Sequence, residues 1–178
     1  MVRQNYKRKI PDPVVYRAGT YYQSASEVLF RSEGNLYVAV INASLAIEIY
    51  LKSFLVKEHA VNGYKMHKKT EHGHDLLKLF KRIHQSDRVA LKETIKEINP
   101  TIDIEAKLSQ YKNIFTDARY MFEPVKVESI GSDVILFSRI LKEAVSKIYE
   151  IRYPVNVPEN VKKAVDLYSA KNEHNANP

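Results

Sequence analysis

LYVAVINASLAIEIYLKSFLV, residues 36–56, is apolar or tyrosine at sixteen of twenty-one positions, yet it holds Ser44, Glu48 and Lys52 at four-residue steps. On a helix, residues four apart stack on one face, so these three form a narrow polar stripe. Glu48 precedes Lys52, the better orientation for an i,i+4 ion pair. The other sides are nearly continuous in Ile, Leu, Val, Ala, Tyr and Phe, which marks the central helix of an all-helical bundle. A charged pair in such a segment is costly unless something specific surrounds it, so any function carried here faces the stripe.

Outward from this segment, helical signals recur on both sides. Thr20 and Gln23 match a capping box, and Tyr22, Ala25, Leu29 and Phe30 give the spacing of a first helix. Glu33-Gly34-Asn35 ends that helix, with Asn35 placed to cap the second, which is expected over Leu36–Glu58. Residues 59–72 lose periodicity around Asn62-Gly63 and read as a loop, with no strand expected anywhere. Asp75 caps a third helix with Leu76, Leu79, Phe80 and Ile83 inward, and Ser86 or Asp87 opens a fourth with Leu91, Ile95 and Ile98 inward. A fifth helix shows Ile104, Leu108, Tyr111, Phe115, Ala118 and Phe122. Ser132 caps a sixth, where Val134, Phe137, Leu141, Ala144, Ile148 and Ile151 repeat the alternating four-three spacing of antiparallel bundles. The expectation is an all-α antiparallel bundle of about six helices over residues 20–153. A basic arm (1–19) precedes it, and a short amphipathic helix with a polar tail (154–178) follows.

At 178 residues the chain is one domain of ordinary size. It has no cysteine, so disulfides, thiolate chemistry and Cys-based zinc sites are excluded, which suits a reducing cytoplasm. No signal peptide is visible, because the basic start meets Pro11 and Pro13 without an apolar core. The 36–56 run has membrane length, but Glu48 and Lys52 near its middle would each cost roughly 2.5–3.5 kcal/mol there, so it is expected to be a buried soluble helix. Lys and Arg outnumber Asp and Glu by 28 to 21, with a pI near 9.4. The excess gathers at Arg3, Lys7, Arg8 and Lys9, and at Lys65, Lys68 and Lys69. Such clusters either attract phosphate backbones or simply keep the surface soluble.

NASLAIEIYLKSFL (Asn42–Leu55), GHDLLKLF (Gly73–Phe80) and YKNIFTDARYMFEP (Tyr111–Pro124) together resemble the HEPN domain, the higher eukaryotes and prokaryotes nucleotide-binding domain. The Glu-x-x-x-Lys, the His-Asp-Leu and the Ala-Arg-Tyr come in that family's order, over roughly Thr20 to Ile151. The resemblance implies a helical bundle that commonly pairs as a homodimer. It also implies a prokaryotic toxin–antitoxin or defence setting, often beside a minimal nucleotidyltransferase partner. Many members are metal-independent endoribonucleases marked by an Arg followed, after four to six residues, by a His. There the imidazole takes the ribose 2′-OH proton and the guanidinium steadies the phosphorane. That spacing is absent: none of the six histidines lies so after any arginine, and Arg119 is followed at the permitted positions by Pro124, Val125 and Lys126.

The residues singled out for a ligand or phosphate are therefore Glu48, Lys52, His74, Lys112, Arg119 and Tyr120. Glu48 and Lys52 match the polar pair that lines the family's cleft, and the alternative is a partly buried ion pair fixing helix register. Arg119, on one helical face with Lys112, Thr116 and Glu123, either offers a guanidinium to phosphate or forms a salt bridge to Glu48 or Glu123. His59, His67, His72 and His74 fall within sixteen residues. Without Cys or a helical i,i+4 His pair they are not read as a metal site, and no cofactor is expected. Tyr111, Tyr120, Tyr149 and Tyr153, late in the fifth and sixth helices, suggest an interface. Three functions stay open: a non-catalytic HEPN-like protein binding a nucleotide, RNA or protein, an endoribonuclease whose base is His74 brought near Arg119, and a pure interaction module.

Overall fold

The computed structural model describes residues 9–61, 65–70, 72–112, 114 and 131–155. In chain order it holds helices α1 (Pro13–Phe30) and α2 (Leu36–Ser53), strands β1 (Lys57–Val61) and β2 (Lys65–Lys69), then α3 (Leu76–Arg82), α4 (Gln85–Ile98), α5 (Ile104–Gln110) and α6 (Asp133–Arg152). The protein is an all-α helical bundle with one small hairpin added. Helix α2 is its centre, packing against α1, α6 and α3. By length and composition α2 could cross a membrane, but 56% of it is buried inside the bundle.

Helix α1 starts at Pro13, not at Thr20. Asp12 is its N-cap, accepting from the amides of Val14 (3.0 Å) and Val15 (3.1 Å), and a proline at the first position has its φ already set for a helix. Thr20 lies inside the helix, its hydroxyl donating to Tyr16 O at 3.2 Å. The short link at 31–35 folds α2 back along α1, with Gly34 at φ +78° supplying the left-handed turn. Asn35 holds the N-cap position of α2 but makes no side-chain cap. Two devices lock the pair together. Ser26 donates across to Ala39 O at 2.7 Å, and Gly19 lets the backbones close, since a Cβ there would meet the Tyr50 ring at 2.7 Å.

Helix α2 ends at Ser53, five residues before the expected Glu58. The Ser53 hydroxyl turns back to Tyr50 O (2.6 Å) while its carbonyl accepts the Asp12 amide (2.8 Å), and Phe54 and Val56 then enter the core. The stretch read as a loop is instead the antiparallel hairpin β1–β2, in which Glu58 pairs with Lys68 and His59 with His67. Asp75 caps α3 as expected, accepting from the Lys78 amide at 2.9 Å. Helix α4 is capped one turn early by His84 rather than by Ser86 or Asp87. Helix α5 stops at Gln110, so Tyr111 is a C-cap; Phe115, Ala118 and Phe122 lie outside the described residues. Helix α6 buries Val134, Phe137, Leu141, Ala144 and Ile148 as the spacing required, but Ile151 at its last turn is 77% exposed.

Candidate functional site

Position 48 is on the face of α2 turned toward α3, and Glu48 is sealed there with only 5% of its surface exposed. One turn later the Lys52 ammonium meets Glu48 Oε1 at 2.7 Å, as the four-residue step predicts. The other carboxylate oxygen, Oε2, is 2.8 Å from His74 Nδ1. His74 sits in the segment leading into α3, where the Asp75 cap and the burial of Leu76 fix the chain. The Lys78 amide and ammonium, against a small desolvation, hold the Asp75 carboxyl below the usual range and keep the cap ionised. The ionised carboxylate of Glu48 only accepts hydrogen bonds, so Nδ1 of His74 carries the proton and donates. A buried carboxylate thus has both oxygens engaged, by cation-capable donors from two different elements.

Exposure grades outward from that carboxylate: side-chain values are 6% for Glu48, 14% for Lys52 and 63% for His74. The imidazole is the part that a dissolved partner meets. Its second nitrogen, Nε2, accepts a proton when the ring is neutral and donates when it is charged. The cluster can therefore hold a phosphate oxygen, or serve as a carboxylate-oriented base. Ser44, the first residue of the stripe, takes no part: it is buried, and its hydroxyl is spent on Ile41 O at 2.8 Å.

Of the six residues singled out in the sequence, Glu48, Lys52 and His74 come together. Lys112 is exposed and lies past the end of α5, its amide on Ser109 O at 3.4 Å. Arg119 and Tyr120 lie outside the described residues. The four tyrosines do not form one patch. Tyr111 is 3% exposed and bonded to Asp133 at the start of α6, whereas Tyr149 and Tyr153 stack on each other at its far end, 5.0 Å between ring centroids.

Three polar clusters had no signature in the sequence. Lys107 reaches Asp133 at 2.9 Å while Tyr111 donates to the same oxygen. Burial pushes the Asp133 carboxyl up, but these two donors outweigh it and hold the carboxyl below its usual range; burial and that carboxylate push the Tyr111 phenol well up. Arg152 pairs with Asp87 at 2.5 Å and also donates to Ile10 O (3.0 Å). Arg139 and Gln23 both reach Glu27 Oε1 at 2.6 Å, and against burial they hold that carboxyl low. Each joins residues more than twenty apart, where spacing carries no signal. Compared with protein-family models, with curated proteins and with solved structures, the chain finds no match. Among the described residues no three His, Asp or Glu gather as metal ligands.

Proposed function

We propose that the chain is a HEPN-like helical protein that binds RNA through its phosphates without cutting it, with the Glu48–Lys52–His74 stripe facing the ligand. The observation that carries this reading is the 2.8 Å contact between buried Glu48 and exposed His74. A group fixed by a buried partner presents its outer nitrogen in a set direction and loses little entropy on binding. The formal charge of +7 favours a polyanion over a neutral protein surface. The missing Arg–His spacing favours binding over cleavage. On the HEPN resemblance the setting is a cytoplasmic prokaryotic toxin–antitoxin or defence system, with a minimal nucleotidyltransferase as partner. The same resemblance makes the protein a two-fold homodimer. Val14, Tyr21 and Val28, each about two-thirds exposed at seven-residue steps along α1, support that pairing in place of the tyrosines.

Fluorescence anisotropy with single-stranded RNA tests the reading. Affinity is expected to fall steeply with salt, because phosphate contacts release counterions, and His74→Ala is expected to weaken it about tenfold. Unchanged affinity in His74→Ala removes the stripe from the ligand site. The carboxylate–imidazole pair also favours a second reading, an endoribonuclease with His74 as base, since such pairing fixes the tautomer a base needs. RNA ends carrying 2′,3′-cyclic phosphate, lost in His74→Ala, would establish it. Intact RNA is the outcome expected.

A further inference from the structure

Helices α1 and α6 leave a groove of about 280 Å³ between them, lined by Pro13, Tyr16, Arg17, Thr20, Ser146 and Tyr149. It lies apart from the Glu48 stripe, on elements that contribute nothing to it. We infer that this groove is a binding site for a nucleoside monophosphate whose base bears an amino group.

Four features of the lining select that chemistry. Tyr16 and Tyr149 supply aromatic faces from opposite walls, the kind of surface on which a flat heteroaromatic ring stacks. Arg17 is exposed and has no ion pair or hydrogen bond among the described residues, whereas Arg139 and Arg152 are held by Glu27 and Asp87. An uncommitted guanidinium at the rim suits a phosphate, which it can grip with two parallel N–H donors. The Lys9 ammonium, 5.7 Å from the Tyr149 ring centroid, adds positive charge at the same wall. The amides that open α1 are not available for this task, because Asp12 already caps them.

The two hydroxyls set the base. Thr20 donates its proton to Tyr16 O (3.2 Å), and Ser146 donates to Glu150 Oε1 (2.7 Å). With their protons committed, both oxygens offer lone pairs and so match a ring that brings N–H donors, as adenine and cytosine do. Behind Thr20 the Tyr50 hydroxyl is wholly buried and has no hydrogen-bond partner, although its ring lies 5.6 Å from that of Tyr16. A polar atom of the ligand, or a water it traps, would satisfy that orphan. The volume is just under the roughly 300–1,000 Å³ of pockets for drug-sized ligands, so a single base fits and a dinucleotide does not.

The site does not rest on the RNA reading, and titration of the full chain keeps the two apart. The probes are AMP, IMP, adenosine and inorganic phosphate, followed by calorimetry and by NMR shifts. AMP is expected to bind and to move the Tyr149 and Arg17 signals. Adenosine, which lacks the phosphate, and IMP, which lacks the amino group, are each expected to bind about tenfold or more weakly. Arg17→Ala, at an exposed position, and Tyr149→Ala should each weaken AMP by a similar factor, with Tyr149→Phe retaining it. His74→Ala should leave AMP binding unchanged. The inference is overturned if AMP fails to bind at millimolar concentration, if phosphate alone binds as well as AMP, or if His74→Ala abolishes binding while Arg17→Ala does not.

Discussion

At the scale of single residues, small groups set what large ones can do. Gly19 is the clearest case. Alanine normally favours a helix over glycine by about 1 kcal/mol, yet here its methyl carbon would lie 2.7–2.8 Å from two atoms of the buried Tyr50 ring. Neither the ring nor the α1 backbone can retreat without disturbing the α1–α2 pair. Gly19→Ala is therefore expected to lower stability by about 1–3 kcal/mol, the usual cost of overpacking. Urea unfolding measures it, and a stabilised variant would show that the two helices are not in such close contact. Glu48 works the other way, since its burial is tolerable because Lys52 and His74 engage both oxygens.

At the scale of elements, what the sequence made legible depended on how local the cause was. Helix α6 was readable end to end because its buried residues repeat at four-three spacing and Pro154 follows it. The ion pair of Glu48 and Lys52 was readable for the same reason. The end of α2 was not, because it is set by Asp12, whose amide bonds Ser53 O from forty-one residues away. The hairpin did leave a local sign, since Asn62-Gly63 is a strong hairpin turn signal, but the lysine-rich flanks lacked the apolar alternation that normally accompanies it. Leu45 looked as central as Leu51, yet only Leu51 is sealed, because α2 turns a strip of its surface away from its neighbours. The contact of His74 with Glu48 spans twenty-six residues and required the fold.

The junction of α5 and α6 gives a test with a definite sign. The Asp133 carboxyl is held below its unfolded value, so its contribution is present above the unfolded carboxylate range and is lost as pH falls through the lower folded value. Tyr111→Phe removes one donor and brings the folded value back toward the unfolded one. The variant is expected to be less stable by about 1 kcal/mol near pH 6, since Asp133 is partly exposed and keeps Lys107. The deficit should shrink by pH 3. Denaturation at both values checks it, and a deficit independent of pH would mean that the lost hydroxyl acts through packing alone.

At the scale of the whole molecule, a central helix carries its one ion pair at the side where α3 begins, and the chain uses that position to fix an exposed imidazole. The groove between α1 and α6 sits on other elements, so damage to one site should leave the other working. The central claim is that Glu48 acts on RNA through His74. A double-mutant cycle on RNA affinity tests it most directly, using Glu48→Gln, His74→Ala and the pair together, each first shown to be folded by its melting curve. Residues acting as one unit are not additive. The expected result is that both single variants weaken RNA binding about tenfold and the double variant is no weaker than His74→Ala alone. Losses that multiply in the double variant, or a Glu48→Gln variant with unchanged affinity, would contradict the account.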